Sequence, residues 1–282
     1  MSRFFFIAKR FVAGESMEVA VDVVRGLNAR DLDVTLNLLG ERGKDRAKVE
    51  DSVQQYLVML DQIHERELRA NISIKLSHLG QEIDDVFCME NLHQIMEHAR
   101  QHHNFIRFDM EGSDYTQRTL DMFYTVYEQY QNTGVVIQAM LHRSPHDIFV
   151  LNENKVRVRL CKGSYKESDE LALQEMPNIR QAFLAMAETL LTGGHYPAFA
   201  THDDFLVESI KEYVETNGIS KDQFEFQMLF GLRPGRQQEL SKQGYRVRIY
   251  VPFGTEWMPY FYRRLRERKE NVWFVLQNLF RS

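Results

Sequence analysis

The chain has 282 residues, 44% hydrophobic and 27% charged, and its 35 basic and 40 acidic residues leave a net charge of −5. That length holds one large domain or two ordinary ones. Frequent apolar residues and modest net charge argue against intrinsic disorder, and the lack of a basic excess argues against dedicated nucleic-acid binding.

Short β-branched or aromatic runs recur along the chain, at 34–39, 72–76, 105–109, 135–139, 156–160, 198–201, 224–228 and 247–251. The segments between them carry helical periodicity. Apolar residues recur at helical spacing over 53–60, and again at Leu92, Ile95, Met96 and Ala99. Asp203-Asp204 reads as a helix start and Gly218 as a stop. Eight strands spaced for intervening helices favour a single (β/α)8 barrel of the TIM type over an open doubly wound sheet. No repeat, low-complexity tract or Pro/Gly/Ser-rich linker divides the chain.

Only two cysteines occur, Cys88 and Cys161, so no disulfide framework exists and a reducing, cytoplasmic compartment is expected. The apolar run at 4–8 is too short for a signal peptide and is followed by Lys9-Arg10. No stretch approaches the roughly 18 apolar residues of a spanning helix. The apolar, aromatic tail at 272–280 is read first as packing on the barrel, with lipid or a partner protein as alternatives.

A barrel places its chemistry at the strand C-termini. Those positions hold Lys75, Asp109-Met110-Glu111, Gln138, Arg159 with Lys162, Thr201-His202, and Tyr250. Any one of these suits a solvated loop, but such a concentration at one end suits a site. The strand with alternate Arg157 and Arg159 runs into Lys162-Gly163. There glycine permits close backbone approach and the cations suit an anionic or electron-rich ligand. Its alternative is a basic turn paired with a local carboxylate such as Glu167. Further on, Tyr260, Arg263, Arg264 and Glu267 share one helical face. An aromatic ring beside two guanidinium forks suits a carboxylate on an apolar ring, with a solvated basic helix as the alternative. Rossmann, P-loop and G-x-S-x-G patterns are absent. His98 and His102, spaced i,i+4, have no flanking acidic motif, and His142 and His146 straddle Pro145; these read as surface histidines, and no metal is expected.

In order along the chain, Ile74-Lys75-Leu76-Ser77, Arg107-Phe108-Asp109-Met110-Glu111, the segment from Arg159 through Lys162-Gly163-Ser164-Tyr165 to Glu167, Ala200-Thr201-His202, the run from Phe224 to Gly231, Tyr250-Val251-Pro252-Phe253-Gly254, and Tyr260 to Glu267 resemble the flavin-dependent proline dehydrogenase family. The likeness is to its short monofunctional bacterial form. It implies a distorted (β/α)8 barrel at 31–282, carrying FAD and the active site, after an N-terminal helical segment at 1–30. The implied reaction oxidises L-proline to Δ1-pyrroline-5-carboxylate by hydride transfer to the flavin N5. Electrons would pass to a membrane quinone, with peripheral attachment at the inner face of the cell membrane and Δ1-pyrroline-5-carboxylate dehydrogenase as a possible partner.

Residue by residue, the resemblance assigns Lys75, Arg263 and Arg264 to the substrate carboxylate and Asp109 to the proline ring and the arginine pair. Arg159 falls near N5. Tyr165, Leu232, Tyr250 and Tyr260 wall the ring, while Met110, Gln138, Lys162, Gly163, Ser164, Thr201 and His202 contact FAD. Ser164 stands where the family commonly has alanine, and relatives usually carry more helix before the barrel. Two other readings stay open: a Schiff-base aldolase using Lys75 or Lys162, and an inactive barrel that binds a partner.

Overall fold

The computed structural model describes residues 8–40 and 43–267, with side chains as far as Tyr262. Its eight parallel strands close into a barrel in sequence order, β1 Asp33–Leu38, β2 Ala70–Ile74, β3 Ile106–Phe108, β4 Thr133–Gln138, β5 Arg157–Cys161, β6 Ala198–Ala200, β7 Glu225–Leu229 and β8 Arg246–Phe253. β1 pairs with β8 from Asp33↔Arg248 to Leu38↔Phe253, which closes the ring. All eight expected strands are present. The second begins and ends two residues earlier than expected, because the chain turns at Lys75 into a 3-10 turn, Leu76–Leu79.

Helix α1 Met17–Asn28 precedes the barrel. The rest follow one strand each: α2 Arg46–Glu65, α3 Asp85–Gln101, α4 Ser113–Tyr127, α5 Ser144–Glu153, α6 Met176–Gly193, α7 Asp204–Thr216, α8 Pro234–Lys242 and α9 Trp257–Glu267. Their starts have local causes. The Asp45 carboxylate accepts from Ala47 N at 3.0 Å and that of Asp84 from Phe87 N at 2.9 Å, satisfying end donors of α2 and α3. Proline occupies the first turn of α5, α6 and α8, where its missing N–H costs nothing. α7 begins where the Asp203-Asp204 pair indicates, although Asp203 does not cap it.

Strand residues alternate in chemistry. Val34, Leu36, Ile72, Ile74, Val158, Leu160, Phe226 and Ile249 join one apolar core with Val53, Tyr56, Leu92, Ile95, Phe183 and Ile210 of the helices. Burying each such side chain stabilises by about 1.5–3 kcal/mol. The alternate positions, which share the opposite strand face, are buried polar groups: Thr35, Asn37, Asn71, Ser73, Arg107, Asp109, Arg159, Glu225 and Gln227. The barrel interior is therefore a hydrogen-bonded polar layer. Thr35 Oγ1 donates to Asn71 Oδ1 at 2.6 Å, Arg107 Nη1 to the Arg157 carbonyl at 2.6 Å, and Arg248 Nε to Glu225 Oε1 at 2.8 Å.

His78, in the 3-10 turn, is buried with Nε2 2.8 Å from the Gly40 carbonyl. Burial, and then the Lys75 charge, push its pKa down to about 3 from 6.5. Between those values the unfolded chain binds the extra proton. The contribution of neutral His78 is thus complete above about pH 6.5 and is lost as pH falls toward 3, at up to ~1.4 kcal/mol per pH unit. Urea unfolding at pH 7 and pH 5 should show this loss in the wild type and a shallower one in His78→Gln; equal slopes would contradict the assignment.

Candidate active site

A cavity of about 450 Å³ opens at the C-terminal ends of the strands. Asp109 stands at its centre, just past β3, and its two oxygens are shared among three strands. Oδ1 accepts from Ser73 Oγ at 2.7 Å and Arg159 Nη1 at 2.8 Å, while Oδ2 accepts from Tyr250 Oη at 2.6 Å. Arg159 also lies over the Tyr250 ring, 5.4 Å from its centroid. Burial and the adjacent Asp109 carboxylate raise the Tyr250 pKa well above 10, so its hydroxyl remains a donor.

Arg159 carries the most informative irregularity. Its side chain is 6% exposed, yet among the described residues Nε and Nη2 meet no acceptor. Leaving a buried donor unpaired costs about 1–3 kcal/mol, and more when charged. Two such donors on a cavity-lining guanidinium fit an electron-rich group in the cavity.

The rim is built from loops. Gly163 follows β5 with φ +106°, and a Cβ there would stand 2.5 Å from Met140 Sδ. Only glycine leaves this backbone open to a ligand. Lys162 Nζ donates to Asp203 Oδ2 at 3.0 Å, and Arg180 Nε reaches the same oxygen at 2.8 Å. The local carboxylate Glu167 does not pair with this turn. It accepts instead from Ser113 N at 2.8 Å and from Ser113 Oγ, capping α4, where Gly112 has no side chain to do so. His202 Nε2 accepts from Leu229 N at 2.9 Å, which places its proton on Nδ1. Lys75 Nζ donates to Asn37 Oδ1 at 3.2 Å.

Of the residues singled out in the sequence, Lys75, Asp109, Met110, Arg159, Lys162, Gly163, Ser164, Tyr165, Thr201, His202, Tyr250 and Tyr260 line this one cavity. Gln138 does not; it is buried behind the lining, with Nε2 donating to the Glu111 carbonyl at 2.9 Å. Leu232 also stands back, in an apolar cluster with Phe11, Trp257, Tyr260 and Phe261 that supports Tyr260. Arg263 and Arg264 lie on α9, but their side chains fall outside the described residues, as does the 272–280 tail. Asn37, Asp203 and Gln227 line the cavity without having been anticipated, and Ser73 binds its central carboxylate. A polar residue inside a strand of a fully covered parallel sheet is the clue that would have found Asn37, Ser73 and Gln227.

A family model described as proline dehydrogenase matches residues 20–277. The chain belongs to the proline dehydrogenase family. It is 36% identical over 275 residues to proline dehydrogenase 1 of Bacillus subtilis (strain 168), covering 98% of this chain and 91% of the relative. It is 34% identical over 281 residues to proline dehydrogenase of Deinococcus radiodurans, again covering 98% and 91%. A crystal structure of proline utilization A from Bdellovibrio bacteriovorus, inactivated by N-propargylglycine, superposes with a TM-score of 0.86 at 25% identity. That match covers 92% of this chain and 32% of the other, so the chain spans about a third of that longer protein. The chain is accordingly an oxidoreductase of the proline dehydrogenase family, and this favours the dehydrogenase reading over the aldolase and the inactive barrel.

Proposed function

We propose that the chain oxidises L-proline to Δ1-pyrroline-5-carboxylate with FAD as its cofactor and passes the electrons to a membrane quinone. When bound, FAD supplies an acceptor, at N5, for the hydride lost from the carbon beside the proline nitrogen. The observation that carries this reading is the pair of Arg159 donors that meet no acceptor among the described residues, in a cavity that also contains a glycine cradle and a ring of tyrosines.

In this reading Arg159 stabilises charge that develops on its neighbour during transfer. Asp109, with Ser73 and Tyr250, holds the guanidinium in place so that no reorganisation is needed. Met110, Lys162, Gly163, Ser164, Thr201 and His202 cradle the cofactor, with Gln138 setting the Glu111 backbone behind them. Asp203 fixes the Lys162 ammonium. Lys75, Arg263 and Arg264 take the proline carboxylate, and Tyr165, Tyr250 and Tyr260, the last backed by Leu232, wall the ring. The segment 1–30 leads into a barrel unit at 31–282.

No helix among the described residues is long and apolar enough to cross a membrane. As part of the same proposal we place the enzyme in the cytoplasm, peripheral at the inner face of the cell membrane, where it would meet the quinone. Its product is the substrate of Δ1-pyrroline-5-carboxylate dehydrogenase, the partner we propose.

The test is a visible spectrum of the purified chain with proline added anaerobically. A flavin band that bleaches supports the reading; a colourless chain that FAD fails to reconstitute rejects it. Removing one charge-assisted contact costs about 1.5–3 kcal/mol, so Lys75→Ala should raise KM for proline by roughly tenfold to a hundredfold with a smaller change in kcat. Steady-state kinetics with an unchanged KM would remove Lys75 from the carboxylate site.

A further inference from the structure

At the opposite end of the barrel, three side chains from two helices converge. Asp61 belongs to the last turns of α2, and His98 and His102 to the end of α3. His98 Nε2 lies 2.7 Å and His102 Nε2 2.9 Å from the same oxygen, Asp61 Oδ1. All three ligand-capable atoms fall within 4.8 Å of one another. The acidic partner missing from the sequence around the two histidines is thus supplied by a neighbouring helix, 37 and 41 residues away.

The surroundings fit a bound cation. Helical i,i+4 spacing points both imidazoles the same way. The His64 ring packs on that of His102, with centroids 4.4 Å apart, which helps fix its orientation. The side chains are 20–40% exposed, so water can complete a coordination sphere.

We propose that Asp61, His98 and His102 bind a divalent transition-metal ion of the zinc class. Two imidazole nitrogens and one carboxylate oxygen are borderline ligands that suit such an ion better than magnesium or calcium. The metal would tie α2 to α3 beneath the strand N-termini. His64 and His102 there border a second cavity of about 1250 Å³, away from the chemistry. Its role is to stabilise the fold.

The full chain, as purified, is treated with chelator, freed of it, and titrated with zinc by calorimetry and with cobalt by visible absorption. One equivalent should bind, and zinc should raise Tm. The double variant H98Q/H102Q should bind at least roughly tenfold more weakly and lose the Tm response. Wild-type chain that binds no stoichiometric zinc overturns the proposal, as does equal binding by a double variant whose metal-free melting matches wild type. Should that variant fail to fold, Asp61→Asn makes the same comparison. None of these readouts uses flavin or turnover, so the result is independent of the proposed reaction.

Discussion

Arg159→Ala is expected to lower kcat by roughly 10²–10³, the loss typical of removing a preorganised donor from developing charge. The guanidinium is fixed by Asp109 on one edge and lies over Tyr250, while among the described residues Nε and Nη2 meet no acceptor. Arg159→Lys should recover only part of the rate, because an ammonium keeps the charge but lacks the planar fork. Asp109 retains Ser73 and Tyr250 as donors in either variant, so the barrel should persist. Asp109→Ala differs in kind. It leaves Arg159 buried without its ion partner, which should destabilise the fold by about 3–5 kcal/mol as well as reduce turnover. Measuring kcat and urea stability together separates the two roles. Near-wild-type kcat in Arg159→Ala would show that the cation does not act on the reaction.

Gly163→Ala should yield a folded chain that is purified without cofactor and is about 1–3 kcal/mol less stable. An alanine would have to adopt φ +106° and push against Met140. Met140 is buried in an apolar cluster with Leu141, Ala172 and Ile179, so its thioether withdraws only by repacking there. The adjacent Ser164→Ala provides the control, with cofactor content expected to be unchanged. Flavin absorbance per chain and thermal melting decide the matter. Full occupancy in Gly163→Ala would mean that the turn does not cradle the cofactor.

The fold was legible because its strands are β-branched runs with outward apolar residues that helices must cover, a pattern strong enough to survive errors of two residues at the ends. The rim of the site was legible for a different reason: Lys75, Asp109, Arg159 and Tyr250 are polar residues at the expected strand ends, and the structure brings them to one cavity. The residues beneath them were hidden. Asn37, Ser73 and Gln227 sit inside strands, where period-two reading treats every second residue as the same kind of background. Asp203 marks a helix start in the sequence, and α7 does begin there, but its carboxylate serves Lys162 and Arg180, partners that the sequence does not show. Asp61 had no local relation to His98 and His102, so only the packing of α2 on α3 could join them.

The closing pair of the barrel has a kinetic consequence. Asp109 is held by donors from β2, β5 and β8; β8 pairs with its sequence neighbour β7, but Tyr250 reaches Asp109 only once β8 also docks on β1, where Arg248 meets the Val34 carbonyl 214 residues earlier in the chain. Contacts of such long sequence separation form slowly, since much loop entropy is lost before they return anything. A chain folding from its N-terminus would therefore hold Arg159 and Asp109 in an open sheet, with Tyr250 not yet in place. Competence to bind ligand should appear late and together with ring closure, so that cofactor uptake during refolding acts as a clock for the last strand.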